Sequence, residues 1–240
     1  MMPRSLARSR GALLLACLVG CAPALPSFTG GRTTPEGRGD VALGGSARVP
    51  LGDLSRPVDG PLLGLMSSGG VAPVGFFRVG VARGWDLGVL VAGPSGRLEL
   101  RGGVRLGSLA RFVGGVGVYG GGLTREATDP QGAGDGFRVG ALVPLVLTLD
   151  LGGIFEAWGG VRLGFEHVGG GLALGGIRTT GDATAFRGGL VVGLAVGFRR
   201  VHALLELAAD YEYWRGQLGS LGFERQGVAL VPAFGLRVRF

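Results

Sequence analysis

Three stretches of the chain place reactive side chains at suggestive spacing. His202, Glu206 and Asp210 lie four residues apart in VHALLELAAD, so on an extended backbone they share one face, where an imidazole base and a carboxylate to orient it would sit together. Nucleophilic catalysis by such a pair also needs a matched Ser, and none lies two residues from His167 or His202. GVGVYG at 115–120 matches G-x-G-x-x-G, but the TREATDPQGAGDG that follows has loop composition and offers no helix N-terminus for a pyrophosphate. Asp129 and Asp135 with intervening Gly lack the carboxylate spacing of a calcium loop, which leaves a solvated loop. Two His and two Cys are too few for a His-rich or Cys-based metal site. The expectation is no catalytic, cofactor-binding or metal residue.

The elements that carry these residues alternate with period two. Leu98, Leu100, Val104 and Leu106 share one row and Arg97, Glu99, Arg101 and Arg105 the other. Val201, Ala203, Leu205, Leu207 and Tyr211 oppose His202, Glu206, Asp210 and Glu212. Ten such segments are legible, at 40–51, 74–83, 85–92, 96–107, 109–119, 136–149, 153–166, 186–199, 201–213 and 227–240. Breaks near 84, 108, 151 and 200 are short, whereas 52–73, 120–135, 167–185 and 214–226 are long; 93–95 is short where a long one is due. That parity predicts an all-β, up-and-down antiparallel transmembrane β-barrel of about ten strands, with short periplasmic turns, longer outer loops and both termini on the periplasmic side.

Charges within the strands keep to one row, alternating with Gly rather than with Ser or Thr. Small residues between long charged ones suit the inside of a narrow barrel. A lumen network of Arg48, Arg78, Glu99, Arg101, Arg105, Arg138, Glu156, Arg162, Arg187, His202, Glu206, Asp210, Arg237 and Arg239 is expected, joined by Glu166 and Glu212, with Trp158 adding bulk. The apolar row then faces lipid. Its aromatics gather near strand ends as Trp85, Phe137, Phe155, Phe165, Phe186, Phe198, Tyr211, Tyr213 and Phe240, as interfacial girdles do. Pro144 and Pro232 fit a closed ladder poorly, and 60–72, GPLLGLMSSGGVA, is apolar enough for a short helix or another strand.

From residue 40 onward the chain resembles the small outer-membrane β-barrel proteins of Gram-negative bacteria, porin-like or opacity-like in architecture. The resemblance implies that the outward row Phe234, Leu236, Val238 and Phe240 is read by the outer-membrane insertion machinery. At the other end, a basic stretch through Arg10 precedes an apolar run from Gly11 to Gly20, about half the length of a spanning helix. Leu18-Val19-Gly20-Cys21 resembles the lipobox of bacterial lipoproteins, which implies acylation of Cys21 by lipoprotein-processing machinery. Ala22-Pro23-Ala24 offers an ordinary cleavage site instead, and Leu14-Leu15-Ala16-Cys17 fits the lipobox loosely. The reading divides the chain into a signal peptide at 1–20, a lipid-anchored linker at 21–39, rich in Pro, Gly and Thr, and a barrel at 40–240.

The formal charge is +7, but Arg4, Arg8 and Arg10 precede the barrel and the other Arg are dispersed among Asp and Glu, so no nucleic-acid partner is expected. Outer-membrane lipid is the expected partner, and the oligomeric state is left open. Three roles compete: a structural or surface-interaction protein acting through its outer loops, a narrow porin-like channel for small solutes, and a periplasmic lipoprotein whose inverted soluble barrel, apolar inside, carries a lipid.

Overall fold

A computed structural model describes residues 26, 28, 31–56, 69–125, 133–174, 177–198 and 200–240. Ten strands alternate along the chain: β1 Gly39–Leu51, β2 Gly70–Ala82, β3 Trp85–Ala92, β4 Ser95–Arg105, β5 Ala110–Arg125, β6 Ala133–Leu151, β7 Phe155–Leu174, β8 Ile177–Phe198, β9 Val201–Leu218 and β10 Leu221–Arg239. A 3-10 turn, Gly52–Ser55, follows β1. Each strand pairs antiparallel with its sequence neighbours, and β1 closes on β10 from Asp40↔Arg239 to Leu51↔Val228. Closure leaves no sheet edge, so the ladder satisfies the backbone without water, as a hydrocarbon environment demands. The end where β1 begins and β10 finishes is termed the base, and the opposite end the rim.

The two faces invert the usual order of a soluble protein. Outward Leu98, Leu190 and Phe234 are 56, 64 and 61% exposed, whereas inward Arg97 and Glu206 are 2 and 4% exposed. A barrel with a lipid-carrying, purely apolar interior does not fit: buried Arg, Glu and Asp pair inside, among apolar residues such as Phe76, Leu90 and Val113, while the outer row is apolar, as a bilayer-facing surface is. The outward aromatics form two belts. Trp85, Phe112, Phe155, Phe198 and Phe240 ring the base side, while Phe165, Phe186 and Tyr213 are register neighbours on three consecutive strands, with Phe137 and Tyr211 nearby. Phe165 and Phe186 meet edge-on with centroids 5.3 Å apart. Phe155 and Phe165 are ten residues apart on β7, which at ~3.3 Å per residue and a tilt of about 40° spans ~25 Å, the height of an apolar belt.

Strand lengths depart from expectation at the rim. The stretches 120–135, 167–185 and 214–226, expected as long loops, are mostly strand: β7 and β8 stay paired to Leu174↔Ile177, β9 and β10 to Leu218↔Leu221, and β5 and β6 to Arg125↔Gly134. Above the upper aromatic belt both faces meet water, so Thr180, Asp182, Gln217 and Glu224 carry no period-two signal although the ladder continues. The wall is consequently oblique, from 8 residues in β3 to 22 in β8. Of the apolar 60–72 stretch, 70–72 belong to β2 and 60–68 lie outside the described residues.

Pro144 and Pro232 are accommodated by losing pairs on one side only. Register pairs skip from Gly114↔Leu145 to Gly117↔Leu142 beside Pro144, and from Ser46↔Ala233 to Val49↔Leu230 beside Pro232. On the other flank Pro144↔Arg162 and Pro232↔Leu207 persist, because a strand residue's amide points to one neighbour alone.

Candidate functional site in the lumen

Inward rows of all ten strands converge on a lumen whose charges are paired in layers from base to rim. In the lowest layer Arg101 donates to Asp86 through Nε at 2.9 Å and Nη2 at 2.5 Å. Across the lumen Glu156 takes Arg237 at 3.0 Å and Arg239 at 2.6 Å, and Arg239 also faces Asp40 at 3.6 Å. The planar guanidinium fork matches two carboxylate oxygens at once, which suits Arg rather than Lys to this confined space.

The middle layer pairs Arg78 Nε with Glu99 Oε1 at 2.7 Å, brings Arg97 to the other oxygen of Glu99 at 2.8 Å, and pairs Arg162 with Asp210. A cavity beside Arg97, Glu99 and Arg101 holds only about 10 Å³, so little space remains there. Higher still, Glu166 accepts from Arg138 at 2.6 Å, Arg187 at 2.8 Å and the Tyr119 hydroxyl at 2.8 Å. Arg187 bridges onward to Glu212 at 3.1 Å, which also takes Arg48 at 2.6 Å and the Trp214 indole N–H at 2.8 Å. Toward the rim, Leu54 of the 3-10 turn packs with Val168, Ala183, Ala185 and Trp214, backed by Leu218 and Phe223. The lumen thus ends there in an apolar cluster.

Glycines on the inward row provide room for these long side chains. A Cβ at Gly193 would strike the Trp158 ring, and one at Gly88 would come within 2.9 Å of Arg78 and 3.1 Å of Glu99.

Most of the expected network assembles, with two departures. Arg105 ends β4 opposite Arg111, exposed at the mouth of the base and outside the ion pairs. His202, Glu206 and Asp210 share a face but form no base and orienter: His202 Nε2 lies 2.7 Å from Gly153 O, Glu206 accepts from the Trp158 indole at 3.3 Å, and Asp210 is taken by Arg162. Side chains four residues apart on a strand stand about 13 Å apart along it, so each meets cross-lumen partners first. Asp40, Asp86 and Arg97 are network members that the sequence reading passed over. Asp40 and Asp86 sit at the first two positions of their strands, where continuing the inward parity to the strand end would have found them.

The larger departure concerns the described part of the 21–39 stretch, expected as a linker: Pro26, Phe28 and residues 31–38. Gly39 opens β1, and the described residues before it turn back into the barrel. Gly37 N donates to Gly80 O and Gly80 N to Arg38 O, each at 3.0 Å, so the segment enters along the base of β2. The amides of Thr34, Gly31 and Phe28 then donate to Asp86 at 2.7 Å, Glu156 at 3.1 Å and Glu206 at 3.0 Å. Arg32 pairs with Asp150 at 3.3 Å, Phe28 packs on Phe76 with centroids 5.8 Å apart, and Arg97 donates to Pro26 O at 2.8 Å. Carboxylates in a confined lumen draw in whatever donors can reach them, and a Gly- and Thr-rich strand with free amides is such a donor. Composition marked the segment as non-periodic but carried no sign of what it would meet.

Cys21 and the expected signal peptide at 1–20 lie outside the described residues. Phe234, Leu236, Val238 and Phe240 all point outward, and Phe240 exchanges both backbone hydrogen bonds with Gly39 at 3.0 and 2.9 Å.

No protein-family model and no curated protein sequence matches the chain. Among solved structures it is similar to the outer membrane protease OmpT of Escherichia coli, with 8% identity over 85% of this chain and 96% of that one and a TM-score of 0.49. It is also similar to Neisserial surface protein A (17% identity, 85% and 100% covered, TM-score 0.34) and to the attachment invasion locus protein Ail of Yersinia pestis (14% identity, 85% and 99% covered, TM-score 0.33).

Proposed function

We propose that this chain is a non-enzymatic outer-membrane β-barrel of a Gram-negative bacterium, with a closed lumen and a structural or surface-interaction role exercised through its tall rim. The observation that carries the reading is the outward apolar band about 25 Å high between two aromatic belts, with the charges of the strands turned inward and paired. A base carrying both ends of the barrel and short turns fits the periplasmic side, which puts the arms of β5 to β10 outside the cell. Those arms expose Asp182, Arg215, Gln217 and Glu224 around a shallow groove, polar chemistry suited to a hydrated partner rather than to lipid.

A conducting role is disfavoured by the fill of the lumen among the described residues: ion pairs run from its base to its upper layer, Pro26, Phe28 and residues 31–38 reach from the base to the level of Arg97, and the Leu54–Trp214 cluster lies toward the rim. Acylation of Cys21 and recognition of the Phe234–Phe240 row by the insertion machinery belong to the same proposal. The test is electrophoresis of the membrane fraction with and without boiling. A faster-migrating unboiled form that persists in a Cys21→Ser variant is expected, and release of that variant into the soluble fraction would overturn the reading.

A further inference from the structure

The seat of residues 26–38 has the make-up of a binding site rather than of incidental packing. Glu206, Glu156 and Asp86, each under 5% exposed, come from β9, β7 and β3 and accept from three backbone amides of the segment. Those amides belong to Phe28, Gly31 and Thr34, and the segment is bent rather than extended: Phe28 has a φ of 38° and the chain bends at Gly31 and Arg32. Because the carboxylates read the backbone, they place little demand on side-chain identity. Selectivity comes from two further contacts: Phe28 against Phe76, itself covered by Arg78 with its guanidinium 4.4 Å from the ring centroid, and Arg97 on the carbonyl of Pro26. The segment joins the barrel only through the exposed residues 35–38, whose bonds to Gly80 are the sole ladder it enters among the described residues.

We infer that the base-side half of the lumen is a binding site for a bent peptide that presents backbone amides to Asp86, Glu156 and Glu206 and an aromatic residue at the Phe76 contact, occupied in the resting protein by the chain's own segment before β1 and exchangeable with peptide added from solution. Charge-assisted hydrogen bonds to amides would hold such a segment, and a barrel that is already ordered adds no ordering cost of its own. The inference rests on the lumen alone and is independent of which membrane holds the barrel or what its arms bind.

The test uses the full chain refolded in detergent, with a site-specific protease sequence inserted in the exposed turn at 35–38. After cleavage, a fluorescent peptide with the sequence of residues 22–34 is added. Uptake of one peptide per barrel is expected, with a change in Trp158 emission because the Trp158 indole shares Glu206 with the Phe28 amide. A Phe28→Ala peptide should bind at least about tenfold more weakly. A Cβ built on Gly103 comes within 3.2 Å of Thr33, so a Thr33→Cys, Gly103→Cys pair in a Cys17→Ser, Cys21→Ser chain should lock the segment. That variant should take up peptide only after reduction. No uptake, or equal uptake of a scrambled peptide, overturns the inference.

Hydrogen exchange on the uncut chain gives a second arm that needs no cleavage. The amides of Phe28, Gly31 and Thr34 should exchange at least about a hundredfold more slowly than in the free peptide, yet faster than amides within β7 to β9. Protection equal to the strands would make the segment a permanent part of the core, and protection equal to the free peptide would mean no site; either result overturns the inference.

Discussion

Asp86 accepts both the Arg101 fork and the Thr34 amide, at 0% exposure. Replacing it by Asn leaves the buried Arg101 guanidinium with only Glu99, 3.8 Å away, as counter-charge, and breaking such a buried pair costs about 3–5 kcal/mol. Asp86→Asn should therefore lower the denaturant midpoint of the detergent-solubilised barrel by that equivalent. The pair Arg215–Glu224, 3.5 Å apart with side chains 76 and 59% exposed, is the control. Arg215→Gln should cost at most ~1 kcal/mol in the same assay, because water screens the exposed pair. Equal losses for the two variants would mean that the lumen network is not the barrel's main polar constraint. Glu166 is more exacting still, since Arg138, Arg187 and Tyr119 all depend on it. Loss of a hub is not the sum of its pairs, so Glu166→Gln should exceed the Tyr119→Phe loss by more than twofold.

For the strands, the deciding quantity is the volume of the inward row. β8 carries Gly189, Gly193 and Gly197 on that row, and Gly193 faces Trp158 of β7 across the register pair. Gly193→Val forces the indole off Glu206 and should destabilise by about 1–3 kcal/mol or block insertion, read as loss of the fast-migrating unboiled band. Gly188, which points outward and would meet only Leu163 at 3.7 Å, should accept Ala with little change. The arms above the upper belt make the opposite prediction. Shortening β7 and β8 to rejoin near Gly169 and Asp182, which are register partners, removes wall outside the apolar band. The shortened barrel should still insert and keep its heat-dependent mobility while losing whatever partner binds the rim; failure to insert would show that the arms guide assembly.

On the closed-lumen reading, the segment before β1 fills the base side and the Leu54–Trp214 cluster lies toward the rim, and this sets the molecule's behaviour in a bilayer. The intact protein should be electrically silent in a planar membrane, and steady ohmic steps from the full chain would overturn the closed-lumen reading. Closure also changes what a lipid on Cys21 would mean. Five residues separate Cys21 from Pro26, a reach of about 17 Å. From the level of Arg97 to the end of β4 is eight residues, which at about 3.3 Å per residue and a 40° tilt is ~20 Å. The two lengths are comparable, so an acyl chain held in the base-side leaflet and a seated segment compete. Trp158 emission should differ between acylated protein and a Cys21→Ser chain, the latter matching the fully seated state; identical spectra would show that the tether does not reach the seat.

The sequence by itself determined the barrel and its inside-out polarity, since period-two alternation needs only a local backbone and two different solvents. The ten strands, the lipid-facing row and most lumen charges were legible on that ground, Arg48, Glu99 and Arg237 among them. It could not report the height of the arms, because above the membrane both faces meet water and alternation disappears. Partners across the lumen were equally out of reach: Arg162 with Asp210 and Arg187 with Glu166 and Glu212 depend on how ten strands stagger around a closed ring. Above all, only the tertiary structure turned the Gly- and Thr-rich stretch before β1 from a free linker into the occupant of the lumen. Its amides find Asp86, Glu156 and Glu206 because closure brings carboxylates from three distant strands around one narrow axis, and nothing local to the segment encodes that meeting.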